Sequence, residues 1–372
     1  MIHCEREFFF NPKAGQNNLF MPSSRFSRLV LPLLAGLVYY YYLSSQPSFG
    51  QVPATSQDTT GLAKPINNHR MNASLFEVWK AFFIEHVRKV NSENEGLGFC
   101  CVDFEPGLFG SLGRHSPRPE HRYLSIDIGA NLGQSSLWMS GIPPLSTVLY
   151  AFEPSPKNFE VLKTVGQSIQ RAFYWELNRW YGFQIALTSP ALVPTSGKMK
   201  FYNANEINSQ QGTLSTKPEI RNGEGFDVDV TTLDDFFEKQ LAKGDPHASA
   251  QVFLLKVDTE GYDGHVLLGA TQTLKRTQAI LFEYHWKWKD ADPVIELYET
   301  QLLLESLDFS CFLVSPTFLV PITGSWWDMS YEIYNWANVV CFKRCSTMLK
   351  RAQQGYNDDD IDSSIIECNE VT

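Results

Sequence analysis

The chain has 372 residues, with 31 Lys and Arg against 41 Asp and Glu and a net charge of −10. At 43% hydrophobic and 19% charged residues it carries enough apolar surface to offset chain entropy, which excludes wholesale disorder. The acidic balance, without clustered Lys and Arg, excludes a general nucleic-acid binder and leaves small molecules, sugars, lipids and proteins as partners. At ~150 residues per domain the length allows two to three units; one large α/β domain with a tail at each end fits equally well.

In chain order, residues 1–28 include Lys13, Arg25 and Arg28 with no acid after Glu7. Residues 29–43 are uncharged and end in Tyr39 to Tyr42 and Leu43. This run is shorter than the ~20 residues of a typical span, but its basic flank and interfacial tyrosines suit a signal anchor. It also suits the apolar part of a signal peptide read from Met21 and cleaved near Ser48-Phe49-Gly50. Four consecutive tyrosines suit no packed face, which argues against a buried core element. The expectation is therefore the secretory pathway: an ER or Golgi membrane protein with a lumenal catalytic domain, or a secreted one if the segment is cleaved. Six cysteines follow the run, an even number compatible with disulfides, and Asn72-Ala73-Ser74 is a glycosylation sequon. No C-x-x-C pair occurs, which argues against structural zinc, and no metal site is expected. Residues 44–71, rich in Ser, Pro, Thr, Gln and Asn, read as a linker.

Residues 72–121 are expected to form a helix and a loop. Ser74 and Glu77 make a capping box, and Leu75, Val78, Trp79, Phe82, Phe83, Val87 and Val90 recur at helical spacing. From Tyr123 the chain alternates short apolar runs with helical segments. The runs are 123–126, 148–152, 183–187, 252–257, 280–282, 309–314 and 338–342; the helices are 134–139, 156–165, 265–275 and 293–307. Strands without clean alternation, interleaved with helices, predict a doubly wound α/β domain over 122–345, with its ligand at the carboxyl ends of the strands. Asn203 to Phe226 interrupts the rhythm and is expected to be a loop over the site. Residues 346–372 read as an acidic, solvated tail.

The first strand ends in Asp127-Ile128-Gly129-Ala130-Asn131-Leu132-Gly133. The glycines allow close backbone approach and the next helix offers free N–H groups, as in a dinucleotide fingerprint. Asp127, however, stands where that fingerprint has the glycine that receives pyrophosphate, and its charge suits a cationic ligand. Glu153, 26 residues on, ends the second strand, where an acid accepts from ribose hydroxyls. The fourth strand ends in Asp258-Thr259-Glu260-Gly261-Tyr262-Asp263; Asp263 reads as a solvated residue at a helix start, Asp258 and Glu260 as contacts to substrate. Phe282-Glu283-Tyr284-His285 ends the fifth with an acid and an imidazole.

These motifs, in this order and with Ile185-Ala186-Leu187-Thr188 and Val230-Thr231-Thr232-Leu233-Asp234-Asp235 between them, resemble the FkbM-like family of S-adenosylmethionine-dependent methyltransferases over about residues 122 to 345. The resemblance implies a class I, Rossmann-like, seven-stranded and mostly parallel sheet with helices on both faces. It also implies O-methylation of a hydroxyl, on a sugar, glycan or small metabolite. By that likeness Asp127, Gly129, Asn131 and Gly133 line the methionine end of S-adenosylmethionine, Glu153 its ribose and Ala186 its adenine. Transfer from a sulfonium asks chiefly for alignment and exclusion of water, plus a base for the hydroxyl proton: Asp258 or Glu260 first, His285 second. Two rival readings remain. One is a lumenal glycosyltransferase using Asp227-Val228-Asp229, although Asp290-Ala291-Asp292 has the same form and Asp227 and Asp229 also fit the outward face of an ordinary strand. The other is a silent binding module of the same fold. The sequence sets no oligomeric state.

Overall fold

A computed structural model describes residues 73–92, 123–141, 148–172, 180–192, 197–202, 212–215, 225–315, 319–344, 346 and 348–349. All belong to the unit spanning Ser56–Thr372. The segment at 29–43, the linker, the loop expected up to 121 and the tail from 350 on lie outside the described residues. The solvated tail needs correction at its start, where Met348 and Leu349 are buried in the core beside Phe253 and Phe342. Among those described, no helix is long and apolar enough to cross a membrane.

The first helix, α1 (Ala73–Ser92), starts one residue before Ser74, so Ser74 lies inside it and is not its cap. Phe83 and Val87 are buried, whereas Val78 and Phe82, expected on the docking face, are exposed. The helix packs through Phe76 on the ring of Trp326 at 4.6 Å, and Lys80 Nζ donates to the Ser325 carbonyl at 2.7 Å.

Five elements then alternate, β1 (Tyr123–Ile128), α2 (Gln134–Gly141), β2 (Val148–Phe152), α3 (Pro156–Ala172) and β3 (Trp180–Phe183), and β4 (Ala186–Leu187) follows directly. β5 (Gly197–Tyr202), β6 (Thr213–Ser215) and β7 (Phe226–Thr231) follow, then α4 (Leu233–Ala242), whose cap Thr232 accepts the Asp235 N–H. The last part runs β8 (Gln251–Val257), α5 (Asp263–Leu268), α6 (Thr271–Lys275), β9 (Thr277–Tyr284), α7 (Leu297–Ser306), β10 (Phe309–Val314), β11 (Leu319–Pro321) and β12 (Ala337–Lys343).

The main sheet has the order β11-β10-β12-β9-β8-β1-β2-β3. Pairs among β9, β8, β1, β2 and β3 are parallel, and β12 runs antiparallel between β9 and β10. This is the expected mostly parallel α/β sheet, with one correction: it has eight strands rather than seven, because β10 turns back into the short edge strand β11. Both faces are covered, so period-two alternation sends Leu124, Ile126, Val148, Tyr150 and Phe152 into one core and Tyr123, Leu149 and Ala151 into another. Cys311 and Cys341, in register on β10 and β12, form a disulfide.

Three other expectations need correction. The run at 183–187 is two strands in two sheets, because β4 leaves the main sheet to pair with β7. The interrupting segment is no simple loop: β6 and the start of β7 fall within it, and the order β4-β7-β5-β6 makes a second, four-stranded sheet. The single helix at 265–275 is broken at Gly269, where a Cβ would stand 2.1 Å from the Thr188 carbonyl oxygen.

Candidate active site

Chain direction across the sheet reverses at β1, which has β2 on one side and β8 on the other, so the loops after these strands part at their carboxyl ends. The cavity there is walled on one side by Gly129, Asn131 and Glu153, and on the other by Lys256, Asp258, Glu260 and Glu283. Ala186, Phe201 and Leu214 of the second sheet and Trp336 and Asn338 close it.

On the first side, the backbone does the positioning. Gly129 has φ +77°, and a Cβ there would lie 1.7 Å from the Asp258 carbonyl oxygen, so only glycine lets the β1 and β8 loops approach. The N–H groups of Gly129 and Ala130 both donate to the Phe152 carbonyl, at 3.0 and 2.9 Å. Glu153 is buried and accepts the Asn131 N–H on one carboxylate oxygen and the Ser155 N–H on the other, each at 2.9 Å. Burial still pushes its carboxyl up to about 7.

Asp127 and Gly133, expected at the methionine end of a cofactor, stand behind the cavity wall. Asp127 is fully buried on the α2 face of the sheet and accepts from Ser136 Oγ at 2.6 Å. Its register partner on β8 is Lys256, whose Nζ lies 3.9 Å from Asp127 Oδ1 and 3.0 Å from Asp258 Oδ2. Its carboxylate therefore has a cation of the protein beside it, and burial raises its pKa. Gly133 packs against Leu162 and Val165 of α3.

The second side is a crowd of charges held by side chains. Lys287 Nζ pairs with Glu260 Oε2, and burial raises Glu260 to about 7. Trp336 Nε1 donates to Glu283 Oε1, and burial, followed by the nearby Asp258, raises Glu283 well above the usual range. Asp263, expected to be solvated, is buried and accepts from Thr259 Oγ1 at 3.1 Å; burial lifts it to about 7. His285 is buried behind the wall with Nε2 3.3 Å from Glu283 Oε2, and burial lowers its pKa to about 4, so it is a neutral imidazole. Of the three candidate bases, Asp258 and Glu260 reach the cavity and His285 does not.

Lys256, Lys287 and Trp336 were missed in the sequence. Lys256 had a signal: a lysine in an apolar strand, two residues before Asp258 and so on the same face. Trp336 and Asn338 had none, because the antiparallel β12 brings its start to the rim, with Asn338 in register with Glu283. Asp227 and Asp229, the D-x-D candidate, lie on the exposed face of β7, paired with Lys200 at 3.1 Å and Lys198 at 3.6 Å. Neither lines the cavity.

The strand order, the glycine turn after β1 and the acid after β2 define a class I methyltransferase fold. A family model, the methyltransferase FkbM domain, matches residues 127–311, and this stretch of the chain is a domain of that family. A protein described as Methyltransferase 1 from Beauveria bassiana is 28% identical over 220 residues, which are 55% of this chain and 79% of that one. Among solved structures, the methyltransferase FkbM from Methylobacillus flagellatus is similar at a TM-score of 0.36 and 13% identity, over 71% of this chain and 60% of its own length. An O-methyltransferase from Bacillus cereus, solved with S-adenosylhomocysteine, is similar at a TM-score of 0.32 and 11% identity, over 70% and 91%.

Proposed function

We propose that the chain transfers a methyl group from S-adenosylmethionine to a hydroxyl oxygen of a sugar, glycan or small metabolite, on the lumenal side of the secretory pathway. The observation that carries this reading is the buried carboxylate of Glu153, aimed by two backbone amides at a cavity whose wall carries four acids and one lysine. Such a wall suits a ligand with an ammonium and a sulfonium and no phosphate; Glu153 keeps lone pairs for ribose hydroxyls, and Gly129 and Asn131 would hold the methionine end. When bound, S-adenosylmethionine supplies an electrophilic methyl on a good leaving group. The chain's part is to align the acceptor, exclude water and take its proton.

Asp258 is the base this reading prefers, because it lines the cavity and Lys256 at 3.0 Å sets its orientation. The disulfide between Cys311 and Cys341 suits an oxidising lumen. The test is incubation of the full chain with methyl-deuterated S-adenosylmethionine and fractionated lumenal extract, followed by mass spectrometry. Label on an oxygen is expected, lost in Asp258→Asn while cofactor affinity stays near wild type; label on nitrogen or carbon refutes O-methylation, and undiminished transfer removes Asp258 as base.

A further inference from the structure

Among the described residues, Glu260, Glu283 and His285 form a group whose ligating atoms all lie within 4.8 Å of one another. Glu260 follows β8, while Glu283 and His285 sit at the end of the neighbouring β9, so the parallel sheet itself brings them together. Glu260 and Glu283 reach the cavity, and His285 lies behind them at 2% exposure. Its buried Nε2 completes no hydrogen bond among the described residues and faces Glu283 Oε2 at 3.3 Å. Donors about 2.1 Å from one metal ion and at right angles stand about 3 Å apart, which is close to the 3.3 Å between His285 Nε2 and Glu283 Oε2. Both carboxylates are already oriented from outside. Trp336 occupies Glu283 Oε1 and leaves Oε2 toward the imidazole, and Lys287 occupies Glu260 Oε2 and leaves Oε1.

We propose that Glu260, Glu283 and His285 bind a divalent cation of the Mn²⁺ type at the acceptor end of the cavity. Two carboxylates and an imidazole suit such an ion, and three protein donors leave positions of a six-coordinate shell for water and a hydroxyl oxygen. His285 ligates through Nε2 with its proton on Nδ1; the 3.4 Å contact from the Lys287 N–H to Nδ1 is long and opens when the ion binds. The site departs from the expectation of no metal because its donors come from the ends of two strands, Glu260 after β8 and Glu283 with His285 at the end of β9. Its use in methyl transfer rests on the proposed function, whereas binding of the ion does not.

The experiment is titration of the full chain with Mn²⁺, following the free ion by electron paramagnetic resonance, with pulsed detection of nitrogen coupling in the bound state. One ion per chain is expected, coupled to an imidazole nitrogen, with affinity at least about tenfold weaker in Glu283→Gln and His285→Ala. No stoichiometric uptake, or a bound ion without nitrogen coupling, overturns the site whether or not the variants fold; so does equal affinity in variants that melt like wild type. Calorimetry with S-adenosylmethionine on the same samples separates the two proposals. Cofactor binding without Mn²⁺ uptake removes the ion site alone, and Mn²⁺ uptake without cofactor binding removes the methyltransferase reading alone.

Discussion

The two sides of the cavity are built on different principles. On the β1–β2 side, polar groups are closed by the backbone: Glu153 takes two amides, and Phe152 receives those of Gly129 and Ala130. On the β8–β9 side, Asp258, Glu260 and Glu283 depend on Lys256, Lys287 and Trp336, side chains that reach across from other segments or other residues of the strand. The first side presents one carboxylate in a rigid frame. The second is a set of like charges in a low dielectric, whose balance changes with pH and with whatever binds there. Rigidity thus belongs to the proposed cofactor end and electrostatic sensitivity to the acceptor end.

Changing the contact between the two sides should have the largest effect. Gly129→Ala puts a methyl into the Asp258 carbonyl at a positive φ, and a loss of about 4 kcal/mol in urea unfolding is expected. A loss below about 1 kcal/mol shows that the loops part easily and that the close approach is incidental. Lys256→Met removes the cation shared by Asp127 and Asp258, and about 3 kcal/mol is expected from the same measurement. A neutral result places the stability of the acids elsewhere.

A smaller effect is expected from Glu153, through pH. Its folded pKa of about 7 exceeds the ordinary 4.5, so between these values the folded state holds more protons than the unfolded one, and stability falls as pH rises through that window. Glu153→Gln should flatten the fall in urea midpoint between about pH 5 and about pH 8. A curve identical to wild type contradicts the buried-carboxylate account. Least of all should follow from Asp227→Asn, whose partner Lys200 is also exposed: within about 0.5 kcal/mol in stability, with methyl transfer unchanged. A loss of transfer would reopen the D-x-D reading.

The first side was the more legible in the sequence, for a physical reason. Parallel strands buried on both faces read as apolar runs, and where such a run ends in Asp or Glu the carboxyl rim is marked, as at Asp127, Glu153 and Asp258. The marking does not say which way an acid faces: Asp127 turned to Ser136 and Lys256, away from the cavity. The second sheet was legible only in part: Asp227 and Asp229 on one face mark β7 as an exposed strand, whereas β5 and β6 are short and flanked by polar, glycine-containing segments. Trp336 and Lys287 escaped because their meeting with Glu283 and Glu260 depends on a reversed strand and a short 3₁₀ turn at Trp286–Asp290, which local spacing does not encode.

The central claim is that Glu153 holds S-adenosylmethionine in this cavity. Calorimetric titration of the cofactor into wild type and Glu153→Ala tests it most directly. One-site binding in wild type, weakened at least about tenfold in the variant, is predicted from the loss of a charged hydrogen-bond acceptor. Absence of binding in wild type, or equal affinity in both proteins, contradicts it.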